Sequence, residues 1–135
     1  MEEEVIERRE LAFRYIYSEE IQQQNSKAGV KLFLDANEID DQRKREYVKD
    51  IAKGIKDNKE EIESIISGSL KDGWTMDRIS LIDFALLKLA VYEIKYKEVP
   101  YKVVINEAIN LAKKYGEEKS YIFINGVLAN IVKDM

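Results

Sequence analysis

The chain predicts an all-α protein: two packed three-helix bundles within a single domain spanning residues 1–135. Three observations carry this. Apolar residues recur every three to four positions in most segments. Helix breakers are scarce, with one proline and six glycines in 135 residues. Hydrophobic residues make up 45% of the chain, enough to fill a core of real size.

A first helix is predicted over about residues 3–24. There Ile6, Phe13, Tyr17 and Ile21 recur at helical spacing beside Val5, Ala12 and Ile16. Gln22–Gly29 reads as its frayed end and a turn, with Asn25, Ser26 and Gly29 as breakers. A short helix follows over Val30–Asn37. Asp40-Asp41 then supplies an acidic start to a long helix. Its apolar stripe of Tyr47, Ile51, Ile55, Ile62 and Ile65-Ile66 runs to about Ser67. Gly54 and Asn58 weaken this helix and are where it should bend or break. Gly68–Thr75 is the boundary between the parts, about residues 1–68 and 74–135.

Ser80-Leu81-Ile82-Asp83 has the spacing of a capping box and opens a helix over about Ser80–Lys95. Leu81, Ile82, Ala85, Leu86, Leu89, Ala90 and Tyr92 make that helix apolar around much of its girth, so it should be the central, most buried one. Pro100 starts the next helix, being favoured at the first helical position, and Gly116 ends it near Tyr115. The last helix runs from about Glu118 to Lys133, with acids in its first turn. Strand readings compete at Val103-Val104-Ile105 and Tyr121–Ile124. The spacings Val104, Ala108, Leu111, Tyr115 and Ile124, Leu128, Ile131 favour helix. Asn125-Gly126 could form a hairpin turn, but its flanks do not alternate. Gly126 reads instead as a small residue that lets another helix approach. The expected core contains Ala85, Leu86, Leu89, Ala90, Ala108, Leu111, Ile124 and Leu128.

Composition excludes much chemistry. The chain has neither cysteine nor histidine, which removes disulfides, thiol chemistry, Cys/His zinc sites and every His-based triad. No Gly-rich phosphate loop is present. Asp40-Asp41 lacks the glycine and ligand spacing of a calcium loop. Glu107 with Glu93 or Asp83 could form a carboxylate pair, but no spacing signature supports acid–base work. No cofactor or metal is expected, and the chain reads as a non-enzyme. No run reaches the roughly 18 apolar residues of a membrane span, and the acidic start Met1-Glu2-Glu3-Glu4 leads into no signal-like segment. The expected compartment is the cytoplasm.

Net charge is −4, which argues against broad, charge-driven nucleic-acid binding. The acidic excess lies in residues 1–68, whereas residues 69–135 are slightly basic. Any anion-binding face is therefore local. Tyr17 lies four positions from Phe13 and three from Arg14, with Arg9 two turns back. A tyrosine beside arginines can stack a base and hold a phosphate; a half-buried tyrosine with solvated arginines fits the pattern equally well. Lys113, Lys114 and Lys119 flank the turn into the last helix, where lysines at a helix C-terminus also complement its dipole. Phe123, one turn beyond Lys119, suits core packing. Asn106 and Glu107 suit hydrogen bonding between helices.

The runs Val99–Ala108, Leu111–Gly116 and Ser120–Leu128 closely resemble the bacterial NusB transcription factors. Leu87–Ile94 is similar to their central helix, and Arg9–Ser18 to their first. The likeness spans nearly the whole chain and is specific from about Trp74 onward. It implies an all-helical fold of two three-helix bundles and no catalysis. It further implies binding of boxA-type single-stranded RNA together with NusE, a small-subunit ribosomal protein, within the RNA polymerase antitermination complex of ribosomal RNA operons. Carried over by position, the implied RNA-binding residues are Arg8, Arg9, Arg14, Tyr17, Lys119 and Phe123.

One departure stands out. Where arginine-rich members carry basic residues, this chain has Val5, Ile6 and Glu7 after three glutamates. Losing two or three phosphate contacts should reduce affinity and salt dependence, leaving the partner to supply positive charge. Two other readings stay open. One is a helical protein–protein module, such as a homodimer, that has lost RNA binding. The other is a fragment of an RNA methyltransferase, against which stands the lack of a catalytic domain before Met135.

Overall fold

The computed structural model describes the backbone of residues 2–22 and 27–135 and the side chains of residues 7–22 and 29–135. Among these are seven α-helices and no strand. They are α1 (Glu2–Gln22), α2 (Lys27–Ala36), α3 (Gln42–Asp57), α4 (Lys59–Gly68), α5 (Leu81–Tyr96), α6 (Tyr101–Tyr115) and α7 (Ser120–Lys133), with a 3-10 turn at Met76–Arg78. The turn residues Asn25 and Ser26, and the side chains of Val5 and Ile6, lie outside the described residues.

Local chemistry sets the helix ends. The Asp41 carboxylate accepts from the amides of Arg43 and Lys44 at 2.9 and 3.2 Å, occupying donors that the first turn of α3 leaves unpaired. Ser80 does the same for α5, accepting from the Asp83 amide at 3.1 Å. The long predicted helix breaks at Asn58, whose side-chain and backbone N–H groups both donate to the Gly54 carbonyl, at 2.8 and 3.1 Å. Pro100 stands one position before α6, its carbonyl accepting from Val103 and Val104. The last helix starts later than expected. Glu117 and Glu118 stay in the turn, and Ser120 opens α7 with its hydroxyl accepting from the Glu117 amide at 2.9 Å.

α5 is the hub. From Ala85 to Glu93 every residue is buried. α1, α3, α4, α6 and α7 all pack against it, and α2 packs on α3. All eight expected core residues are buried. α4 lies along α5 and reaches α7, joining the group α1–α3 to the group α5–α7.

Two expectations are corrected. Ile21 is 55% exposed, lying beyond the buried part of α1, whose apolar residues are Leu11, Ala12, Phe13, Tyr15 and Ile16. Gly126 makes no close approach: a Cβ there would meet nothing within 4 Å. The tight glycine is Gly54, where a Cβ would run into the Tyr92 hydroxyl and ring, so the ring of Tyr92 on α5 lies directly against the backbone of α3.

Candidate nucleic-acid interface

α1 presents its three arginines to three different neighbours. Arg9 points inward. It is 6% exposed, and its Nε donates to the Glu93 carboxylate of α5 at 2.6 Å. Tyr47 of α3 adds its hydroxyl to the same carboxylate at 3.4 Å. Burial pushes the Glu93 carboxyl up while Arg9 pulls it down. The Arg9 guanidinium is therefore a cation of the interior. Arg8 turns toward α3, where its guanidinium lies 5.0 Å from the centre of the Tyr47 ring, over its face.

Arg14 is on the outside. Its side chain is half exposed, with Nε donating to the Tyr115 hydroxyl at 2.8 Å and a terminal nitrogen donating to Glu10 at 3.0 Å. Tyr115 donates in turn to Glu10 at 2.8 Å, and Lys114 Nζ reaches the same carboxylate at 2.9 Å. Burial pushes the Glu10 carboxyl up, but the hydrogen bonds from Lys114 and Tyr115 overcome this and hold it below its ordinary value. Two cations and one carboxylate thus converge where α1 meets the end of α6, and the local balance is positive on an acidic protein.

Aromatic rings continue the surface. Tyr17, half-buried, stacks near-parallel with Phe13, at 6.1 Å and 13°. Phe13 is buried and packs on Tyr115 at 5.1 Å. Phe13 thus supports two rings that each keep an exposed part. Lys119 is exposed and forms the N-cap of α7, with no side chain capping the helix. It is four positions from Tyr115, so the two Cα atoms lie within about 15 Å. A lysine beside the positive end of a helix dipole lacks the usual compensation, and both favour an anion at this place.

Phe123 lies one turn into α7. It is half-buried, and its ring meets Trp74 at 5.1 Å. It also packs against the core, as its spacing suggests, and so joins the exposed indole to the interior. Arg14 and Tyr17 share one edge of α1, and Tyr115 ties that edge to the turn carrying Lys119. Arg8 and Arg9 belong to the contacts of α1 with α3 and α5.

Sequence reasoning placed Lys114 at the turn into the last helix but missed Glu10 and Tyr115 as members of this cluster. Glu10 and Arg14 stand at the i,i+4 spacing of a helical ion pair, a signal that was available. Nothing local links either to Tyr115.

Residues 6–133 match the model of the NusB family. The chain is 40% identical over 136 residues to a transcription antitermination protein NusB of Clostridium botulinum (strain Loch Maree / Type A3), covering 92% of this chain and 96% of the relative. It is 43% identical over 129 residues to the protein of that name from Listeria monocytogenes serotype 4b (strain CLIP80459), covering 95% of each. It is similar to the solved structure of T. maritima NusB, with a TM-score of 0.85, 31% identity, and 96% and 90% of the two chains covered. It is also similar to a chain in the crystal structure of antitermination factors NusB and NusE in complex with dsRNA, with a TM-score of 0.89, 28% identity and full coverage of both. This chain belongs to the NusB family.

Proposed function

We propose that the protein is a non-catalytic transcription antitermination factor of the cytoplasm. It binds boxA-type single-stranded RNA together with NusE and acts within the antitermination complex of RNA polymerase on ribosomal RNA operons. The observation that carries this is the joining of Arg14 and Tyr17 to the turn of Lys119 through Tyr115. Cations and partly exposed rings meet there, as single-stranded RNA requires: arginine and lysine for phosphates, ring faces for unstacked bases.

In this reading Arg14, Lys119, Tyr17 and Phe123 touch the RNA, and Arg8 reaches its phosphates from the edge of α1. Arg9 acts as a positioning residue, since its ion pair with Glu93 fixes the rotation of α1 on α5 and so the direction of Arg14. NusE supplies the charge that the glutamates of the N-terminus do not.

The double-stranded RNA in the NusB–NusE structure makes strandedness part of the test. Exposed rings can stack only on unpaired bases, because A-form duplexes bury the base faces. Anisotropy of a labelled boxA RNA, with and without NusE, should show weak binding by the chain alone, tighter binding with NusE, and preference for the single strand over its duplex. Absence of any RNA preference with NusE present would make the chain a protein–protein module.

A further inference from the structure

The turn between α4 and α5 is built around an indole. Gly73 adopts φ +87°, a conformation side chains rarely tolerate, and the chain reverses there. Trp74 follows at once and leaves 43% of its surface exposed. Two groups hold it. Phe123 of α7 meets the ring at 5.1 Å, tilted by 38°. The Arg78 guanidinium lies 5.2 Å from the ring centre and donates to the Gly73 carbonyl at 3.1 Å.

This arrangement resembles a binding platform more than a packing contact. The largest apolar side chain type is held by the tilted Phe123 ring and by Arg78 lying over its face, yet still leaves much of its surface open to water, at a hydrophobic cost that covering it would remove. Arg78 brings a charge with no carboxylate partner among the described residues. Its neighbour Asp77 is engaged by the Thr75 hydroxyl instead. Phe123, on which the indole rests, is one turn from Lys119, so the platform adjoins the surface assigned above to RNA.

We propose that Trp74, with Arg78 and Phe123, is a second stacking site for an unpaired base of the bound RNA, Arg78 taking the adjoining phosphate. The inference rests on the RNA reading of the α7 N-terminus and extends the path of the strand to the α4–α5 turn. Every base has a π-face, so this site adds affinity without dictating sequence.

Trp74 is the chain's single tryptophan, and its emission therefore reports on this site alone. The chain with NusE is titrated with single-stranded boxA RNA, following labelled-RNA anisotropy and tryptophan emission together. An identical titration of the Trp74→Phe chain is subtracted to remove other emission. Trp74 emission should fall along the anisotropy isotherm and become shielded from acrylamide. Trp74→Ala should weaken binding by about 5- to 150-fold while Trp74→Phe keeps most of it. Arg78→Gln should flatten the salt slope by about one unit. Should Trp74→Ala fail the circular dichroism check, the parent's emission and the Arg78→Gln slope decide. Normal binding with unchanged Trp74 emission and shielding overturns this site and leaves the Arg14–Tyr17 surface standing. No binding in the anisotropy channel overturns the RNA reading and this site with it.

Discussion

Arg14 and Tyr115 stand 101 positions apart and share a hydrogen bond of 2.8 Å, with Glu10 bonded to both. This triangle sews α1 to the end of α6 and sets the guanidinium beside the α6–α7 turn. Tyr115→Phe removes the hydroxyl from both bonds and keeps the ring on Phe13. It should cost about 0.5–1.5 kcal/mol in urea unfolding, since hydrogen bonds contribute about that much and these are partly solvated. An unchanged midpoint would mean the hydroxyl contributes nothing to the seam.

The two neighbouring arginines should separate folding from binding. Arg9→Ala leaves Glu93 buried without its partner, a change that costs about 3–5 kcal/mol. Arg14→Ala removes a half-exposed ion pair and should cost under about 1 kcal/mol. Chemical denaturation of both variants tests this. Equal losses would contradict the inward placement of Arg9.

Two glycines make opposite predictions. Gly54→Ala drives a methyl into the Tyr92 ring and should destabilise by about 1–3 kcal/mol, the range for overpacking. At Gly126 the space is open, so Gly126→Ala should stabilise by about 0.5–1 kcal/mol through helix propensity alone. Thermal melts of the pair would show opposite shifts. A loss at Gly126 would mean a close neighbour lies there after all.

Stability should also respond to pH through Glu19. This carboxyl lines a cleft with Ile16, Phe84 and Lys88, and Glu20, Glu63, Lys56 and Lys59 face the same space. Burial pushes Glu19 up to about 7, against the pull of Lys88 and Lys56, and burial pushes Lys88 down to about 8. A carboxyl raised on folding opposes the fold once pH passes its unfolded value, and increasingly up to its folded value. Glu19→Gln should therefore stabilise at pH 8 by about 1–2 kcal/mol, discounted for solvation and the lost attraction to Lys88, and give no gain at pH 4. Urea unfolding at both pH values checks the sign; a gain at pH 4 equal to that at pH 8 would contradict it.

The fold was largely legible because its signals are local. The all-round apolar character of Leu81–Tyr96 marks a helix surrounded by others, and Asp41, Ser80 and Asn58 act on backbone groups within four residues. What escaped depends on distant partners. Gly54 looks like a helix breaker until Tyr92 arrives from α5. Ile21 fits the apolar stripe by spacing, but the burial of that stripe stops short of it: Phe13 is buried, Tyr17 half-buried and Ile21 exposed. The interface divides in the same way. Arg14 and Tyr17 share one edge of α1 by simple periodicity, whereas the inward turn of Arg9 depends on Glu93, 84 residues away. The Trp74–Phe123 contact likewise joins a turn to a helix that no local pattern connects.

The most direct test is the salt dependence of boxA RNA affinity in the presence of NusE, for the parent, Tyr17→Ala and Arg14→Gln, each checked by circular dichroism. Stacking is insensitive to salt, whereas phosphate contacts release counterions. Tyr17→Ala should weaken binding by about 5- to 150-fold at every salt concentration, with the parent's slope. Arg14→Gln should weaken it mainly at low salt and flatten the slope by about one unit. If both folded variants bind as tightly as the parent at every salt concentration, the junction of α1 with the α6–α7 turn is not where the RNA lies.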